Sequence, residues 1–306
     1  MSHTARTCCL KVDVDTHDGM RDGVPRLLDT FQASGVRATF FLAFGPDNAG
    51  KAIWNLFRQK GFLTKMLRTG APKLYGWRTL LSGTLLPARL IAAKFPDLVR
   101  RIADEGHEVG VHAWDHRLWQ DRLGHLARPQ IEEQFARAFE AFEQILGRRA
   151  KAIAAPAWCA TPASLQAQDT LGLLYASDVR GGPPGYPELG GYRSTTLQIP
   201  TTQPCLEELL TLGHRDLANC VGEVLAPCGQ STLVIPLHAE VEGGAYNSFL
   251  QMLLQRIRAS GVSVQTIEGY AQALLSASAA PPTIPVGLQP IPGRAGRVLA
   301  PIPAQG

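Results

Sequence analysis

Residues 10–15 read Leu-Lys-Val-Asp-Val-Asp, and residues 36–44 read Val-Arg-Ala-Thr-Phe-Phe-Leu-Ala-Phe. The first stretch alternates apolar and acidic residues, the pattern of a strand with one apolar face. The second is a near-continuous apolar run and reads as a buried strand. Between them, residues 22–34 carry a helical pattern, with Asp22 placed as the N-cap and Gly35 just past the end. Strand, helix and strand within about 35 residues make a βαβ unit, which implies a parallel sheet.

The alternation continues outward. Helical patterns over 97–105, 129–146, 164–171, 247–260 and 268–275 interleave with strand-like runs at 107–112, 151–155, 233–238 and 262–266. Such alternation predicts a single α/β barrel-like domain over residues 1–278. Residues 279–306 are rich in proline and are expected to form a tail without a core of its own. The 306 residues are 45% hydrophobic and 18% charged, which excludes a disordered chain. Six cysteines without a CxxC pair exclude a secreted disulfide scaffold. With no secretory signal and no long apolar span visible, a cytoplasmic protein is expected.

The net charge of +4 is unevenly placed. Residues 48–94 hold nine Lys or Arg and no Asp or Glu, interleaved with Trp, Phe and Leu. Basic residues mixed with large apolar ones read as an interfacial amphipathic insertion. Lys51, Trp54, Arg58, Lys65, Arg68 and Trp77 are its expected membrane-binding residues. A nucleic-acid surface would also be basic, but this apolar content is too high for one, so no nucleic-acid partner is expected. No protein partner can be inferred.

Three short strings carry chemistry. Asp13-Val14-Asp15 places two carboxylates on one strand face, ~6–7 Å apart, which is costly unless a cation offsets it. His112-Ala113-Trp114-Asp115-His116 offers two imidazoles at i and i+4, as on one face of a helical turn. Pro236-Leu237-His238-Ala239-Glu240 puts a further His at the end of an apolar strand. Two His and one Asp would hold a metal and leave a coordination position open, the arrangement of a catalytic site. A spare carboxylate and a spare His then fit general base and general acid.

This ordered set resembles the polysaccharide deacetylase (NodB-homology) superfamily over most of the chain. The resemblance implies a distorted (β/α)7 NodB-type barrel, here with the basic amphipathic helical insertion. It also implies metal-dependent removal of an acyl group from an amino sugar. Matched by motif, Asp13 is the expected base, and Asp15, His112 and His116 are the expected metal ligands. His238 is the expected acid, with Asp178 as the carboxylate that orients it. Glu240, Arg180 and Trp158 complete the set as expected substrate-binding residues.

Two positions depart from the superfamily pattern. Ala113 stands where a small hydroxyl residue is usual, and residues 154–158 lack the Arg that steadies the base. Arg180 and Arg193 are candidates to replace that Arg. A backbone N–H at Ala157 or Trp158 is the expected oxyanion donor.

The strings VDVDT, GVPRLL, GPDNAG, HEVGVHAWDH, SDVRG and HAEVEG narrow the resemblance further. They look like the 4-deoxy-4-formamido-L-arabinose-phosphoundecaprenol deformylases. The implied reaction is hydrolysis of an N-formyl group on a polyprenyl-phosphate-linked sugar at the cytoplasmic face of the inner membrane, which feeds aminoarabinose modification of lipid A. Two alternatives stay open: a de-N-acetylase of chitin or peptidoglycan-type sugars, and a non-catalytic lipid- or glycan-binding module. The expected cofactor is a divalent metal ion, Zn2+ before Co2+, Mn2+, Ni2+ or Fe2+.

Overall fold

The computed structural model describes residues 7–48 and 87–303. The expected membrane-binding residues Lys51, Trp54, Arg58, Lys65, Arg68 and Trp77 lie outside the described residues. Strands β1 (Thr7–Val14), β2 (Thr39–Ala43), β3 (Glu108–Ala113), β4 (Ala152–Ile153) and β5 (Tyr175–Ala176) come first. Strands β6 (Tyr186–Leu189) and β7 (Tyr192–Arg193) form a hairpin, and β8 (Thr232–His238) and β9 (Ser263–Gln265) follow. Strands β10 (Thr283–Gln289) and β11 (Val298–Pro301) close the chain.

The main sheet has the order β5-β4-β3-β2-β1-β8 and every pairing is parallel. Strand β9 adds to the start of β1. This is the α/β architecture the sequence predicts. Strand β1 is central and buried on both faces. Cys8, Leu10, Val12 and Val14 point into the large core beneath the helices, and the odd positions face the other way.

Among the described residues the helices are α1 (Val24–Ser34), α2 (Pro96–Asp104), α3 (His116–Arg122), α4 (Arg128–Leu146), α5 (Pro162–Asp169), α6 (Leu206–Thr211), α7 (Leu217–Val224), α8 (Asn247–Ala259) and α9 (Ile267–Leu275). Helix α4 buries Ile131, Phe135, Ala138 and Phe142 at helical spacing and ends at Gly147 in the left-handed region. No helix among the described residues is long and apolar enough to cross a membrane.

Two local expectations differ from the structure. Asp22 is not a helix cap: it lies in a π-helical turn, Gly19–Gly23, that precedes α1, and its carboxylate pairs with Arg21. The proline-rich end is not a loose tail over its described residues. Strand β10 pairs with β6 and β11, making a four-stranded sheet β11-β10-β6-β7 that buries Val286, Val298 and Leu299. Its prolines break helices but are tolerated in short strands at a sheet's margin.

Candidate active site

The C-terminal ends of β1, β3 and β8 meet on one side of the sheet. Asp15 follows β1, His112 is the penultimate residue of β3, and His116 opens α3. His112 Nε2 lies 3.2 Å from Asp15 Oδ1, and His116 Nε2 lies 3.4 Å from Asp15 Oδ2. The two His are not on one helical turn, as the i, i+4 spacing predicts. Asp115 is extended, and its side chain caps α3 at the N–H of Leu118, so the pair spans a strand end and a helix start.

The donor set fits a divalent metal. One ligand atom from each of the three residues lies within 4.8 Å of the others. His112 Nδ1 bonds the Ala154 carbonyl at 2.7 Å, which turns Nε2 toward Asp15. Asp15 Oδ1 is buried without a hydrogen-bond partner. Burial holds His116 down at about 4, so it is the neutral imidazole that ligation requires. Burial alone would raise the Asp15 carboxyl, but His116 and His112 outweigh it and hold it below the usual range.

Asp13 points to the same side as Lys11, two residues earlier on β1. Lys11 is fully buried, and its Nζ sits 2.5 Å from Asp13 Oδ2. The ammonium also lies 5.1 Å from the Trp158 ring centre and 5.4 Å from that of Phe41. Lys11 therefore supplies the cation that residues 154–158 lack. Arg180 does not: it pairs with Glu208 at 2.9 Å and lies over the Trp158 ring. Arg193 is exposed on β7. The signal for Lys11 was present in the string LKVDVD, because positions 11, 13 and 15 alternate along one strand.

His238 ends β8 and is the register partner of Asp13, so the two face each other across neighbouring strands. Its Nδ1 lies 2.8 Å from Glu207 Oε1. Burial would lower the His238 pKa, but Glu207, with Asp15 and Asp13 behind it, holds it well above the usual value. Asp178 is not its orienting carboxylate. It is claimed by the Ala155 N–H at 2.6 Å and by the Gln168 and Gln198 amides at 2.8 and 2.9 Å, which anchors the 154–158 loop. Glu207 was missed because it comes from α6, a short helix with no motif in its sequence.

The remaining expected residues support the site from behind. Glu240 Oε1 accepts from the Asp15 N–H, the Thr16 N–H and the Thr16 hydroxyl. It therefore shapes the turn that carries Asp15. A Cβ on Gly19 would lie 2.1 Å from that same oxygen, which leaves the position to glycine. Trp158 is 2% exposed and bonds Thr201 through its indole N–H, so it packs rather than offers a stacking surface. Ala157 and Trp158 both have positive φ, at 55° and 50°. Such strain in non-glycine residues collects at functional sites. The Trp158 N–H is spent on the Ala155 carbonyl, and the Ala157 N–H makes no hydrogen bond among the described residues. Of the two, only the Ala157 N–H is left free to donate among the described residues.

The sequence pattern described as polysaccharide deacetylase matches residues 11–176 of this chain. A protein of Shewanella sediminis named probable 4-deoxy-4-formamido-L-arabinose-phosphoundecaprenol deformylase ArnD is 38% identical over 235 residues, 76% of this chain and 75% of the relative. The protein of the same name from Wigglesworthia glossinidia brevipalpis is 30% identical over 77% of this chain and 82% of its own length. Among solved structures, one from Mycobacterium smegmatis described as a polysaccharide deacetylase superposes with a TM-score of 0.61 at 17% identity. That superposition covers 92% of this chain and 94% of the other, and it shows the shared fold.

Proposed function

The chain belongs to the polysaccharide deacetylase family, and on that premise we propose that it hydrolyses the N-formyl group of a 4-deoxy-4-formamido-L-arabinose carried on undecaprenyl phosphate. The observation that carries this reading is the 38% identity to a relative named for that reaction, over three quarters of both chains. A complete set of hydrolytic side chains on one sheet end supports it.

Asp15, His112 and His116 would hold the divalent ion, for which two imidazoles and a carboxylate suit Zn2+. Such an ion supplies Lewis acidity and makes water acidic enough to act near neutral pH. Asp13 accepts the proton from the attacking water, and Lys11 fixes the direction in which its carboxylate faces. The Ala157 N–H, unbonded among the described residues, would donate to the oxygen that gains charge. His238, held protonated beside Glu207, gives its proton to the leaving sugar nitrogen. Formate and the free amine result. Asp13 and His238 share a register level, so proton uptake and proton delivery sit on opposite strands of one pair.

The insertion of residues 48–94, with nine cations and no anion, supports recruitment to an anionic membrane surface on which such a lipid lies. The test of the reaction is formate release from the purified lipid-linked formamido sugar, with and without a chelator. Formate that disappears with chelator and returns with Zn2+ is the expected result. Faster release of acetate from an N-acetylated chitin or peptidoglycan fragment would overturn the assignment.

A further inference from the structure

The acid side of the site holds a second set of metal donors, two of which, Glu207 and His238, also serve the reaction above. Cys205 caps the start of α6, Glu207 lies two residues further, and His238 closes β8. A thiol sulfur, a carboxylate oxygen and an imidazole nitrogen from these three residues lie within 4.8 Å of one another. None of them belongs to the Asp15 group. We propose that Cys205, Glu207 and His238 form a second, inhibitory site for a thiophilic divalent ion such as Zn2+.

The donor chemistry is the first argument. Sulfur, nitrogen and carboxylate oxygen together are a set that zinc and its neighbours favour, and the spread of these atoms is within a small movement of a tetrahedral shell. The second argument is unfilled buried acceptor atoms. Glu207 Oε2 and Glu242 Oε1 are both buried without hydrogen-bond partners. Glu242 is fully buried, and its other oxygen receives the His238 N–H at 2.8 Å, which places it beside the trio. The third is proximity: His238 Nδ1 lies 2.8 Å from Glu207 Oε1, so two of the three donors already meet.

Binding has a definite proton balance. Burial and the neighbouring glutamates hold the Cys205 thiol far above its usual pKa, so it is protonated when free. A metal ion displaces that proton and the Nδ1 proton of His238, and both leave to solvent. With Nδ1 occupied, His238 can no longer be an imidazolium and is a weaker acid toward the leaving amine. Inhibition rests on the role proposed for His238; the binding does not.

Cobalt(II) titration of the full chain, stripped of metal beforehand, separates the two sites. Thiolate ligands give cobalt an intense near-ultraviolet charge-transfer band that nitrogen and oxygen ligands do not. The first equivalent should bind at Asp15, His112 and His116 without this band, and the second should bring it. Cys205→Ser should keep about one equivalent of about two and lose the band. In the formate assay, zinc in excess of the first equivalent should suppress wild-type turnover and leave Cys205→Ser active. Saturation at one equivalent, or a band that survives in Cys205→Ser, would overturn the site. A second, sulfur-ligated equivalent without loss of turnover would overturn its inhibitory role. If the deformylase reading alone is at fault, the cobalt result stands and no formate appears at any zinc level.

Discussion

The two ends of the parallel sheet both bury acids, and they treat them differently. At the N-terminal end, Glu108 receives the Thr39 hydroxyl and the Glu268 N–H on one oxygen and the Tyr175 hydroxyl on the other. At the C-terminal end, Asp13, Asp15, Glu207 and Glu242 each keep a buried oxygen with no hydrogen-bond partner. A buried polar atom left unanswered costs about 1–3 kcal/mol, so a fold keeps several together only where something else will meet them. The lower end is built for stability. The upper end is built to meet a cation, a water or a substrate.

Substitutions at the upper end should remove activity, and those at the lower end should remove stability. The largest effect is expected for His116→Ala, which should take formate release to background and abolish metal binding by elemental analysis. Its melting temperature should stay near that of the metal-stripped wild type. A variant that kept both metal and turnover would dissolve the contrast.

Lys11→Met should lower kcat by roughly 10–100-fold with metal content and KM retained, as for loss of an orienting partner. Lys11→Arg should recover most of that loss. Removing the ammonium also strands a buried carboxylate, at a cost of about 3–5 kcal/mol in denaturant unfolding. Adding Asp13→Asn to Lys11→Met should restore the stability but not the turnover. That split would separate the two roles of one ion pair.

Glu108→Gln should do the reverse: about 1–3 kcal/mol lost in urea unfolding, with kcat unchanged. The smallest effect is in pH. Burial raises the Glu108 pKa above the usual 4.5, so the folded chain holds this proton more tightly than the unfolded one. Its contribution is full below 4.5 and is lost as pH rises through the folded pKa. Stability of the wild type should therefore decline across that window, and Glu108→Gln should flatten the decline.

Much of this contrast is visible in the primary structure. Apolar runs at β2 and β8 and the helical spacing of Ile131, Phe135 and Phe142 fix a parallel α/β sheet without any coordinates. The metal trio is legible as well, because Asp15, His112 and His116 each follow a strand signature. Lys11 alternates with Asp13 and Asp15 in the same string, yet a lysine is so rarely buried that periodicity alone does not place it inside. Asp178 shows the opposite case. Its motif matches, but three closer donors claim its carboxylate.

The sequence alone determined the class of sheet, the order of its strands along the chain and the residues able to hold a metal. These follow from local periodicity and from the chemistry of single side chains. Only the tertiary structure decided that Glu207, from a short helix without a motif, faces His238, and that Cys205 lies beside them. It also decided that the proline-rich end folds into a second sheet against β6. Those pairings join residues far apart in the chain. Their distances are set by packing of the whole domain, and no local pattern encodes them.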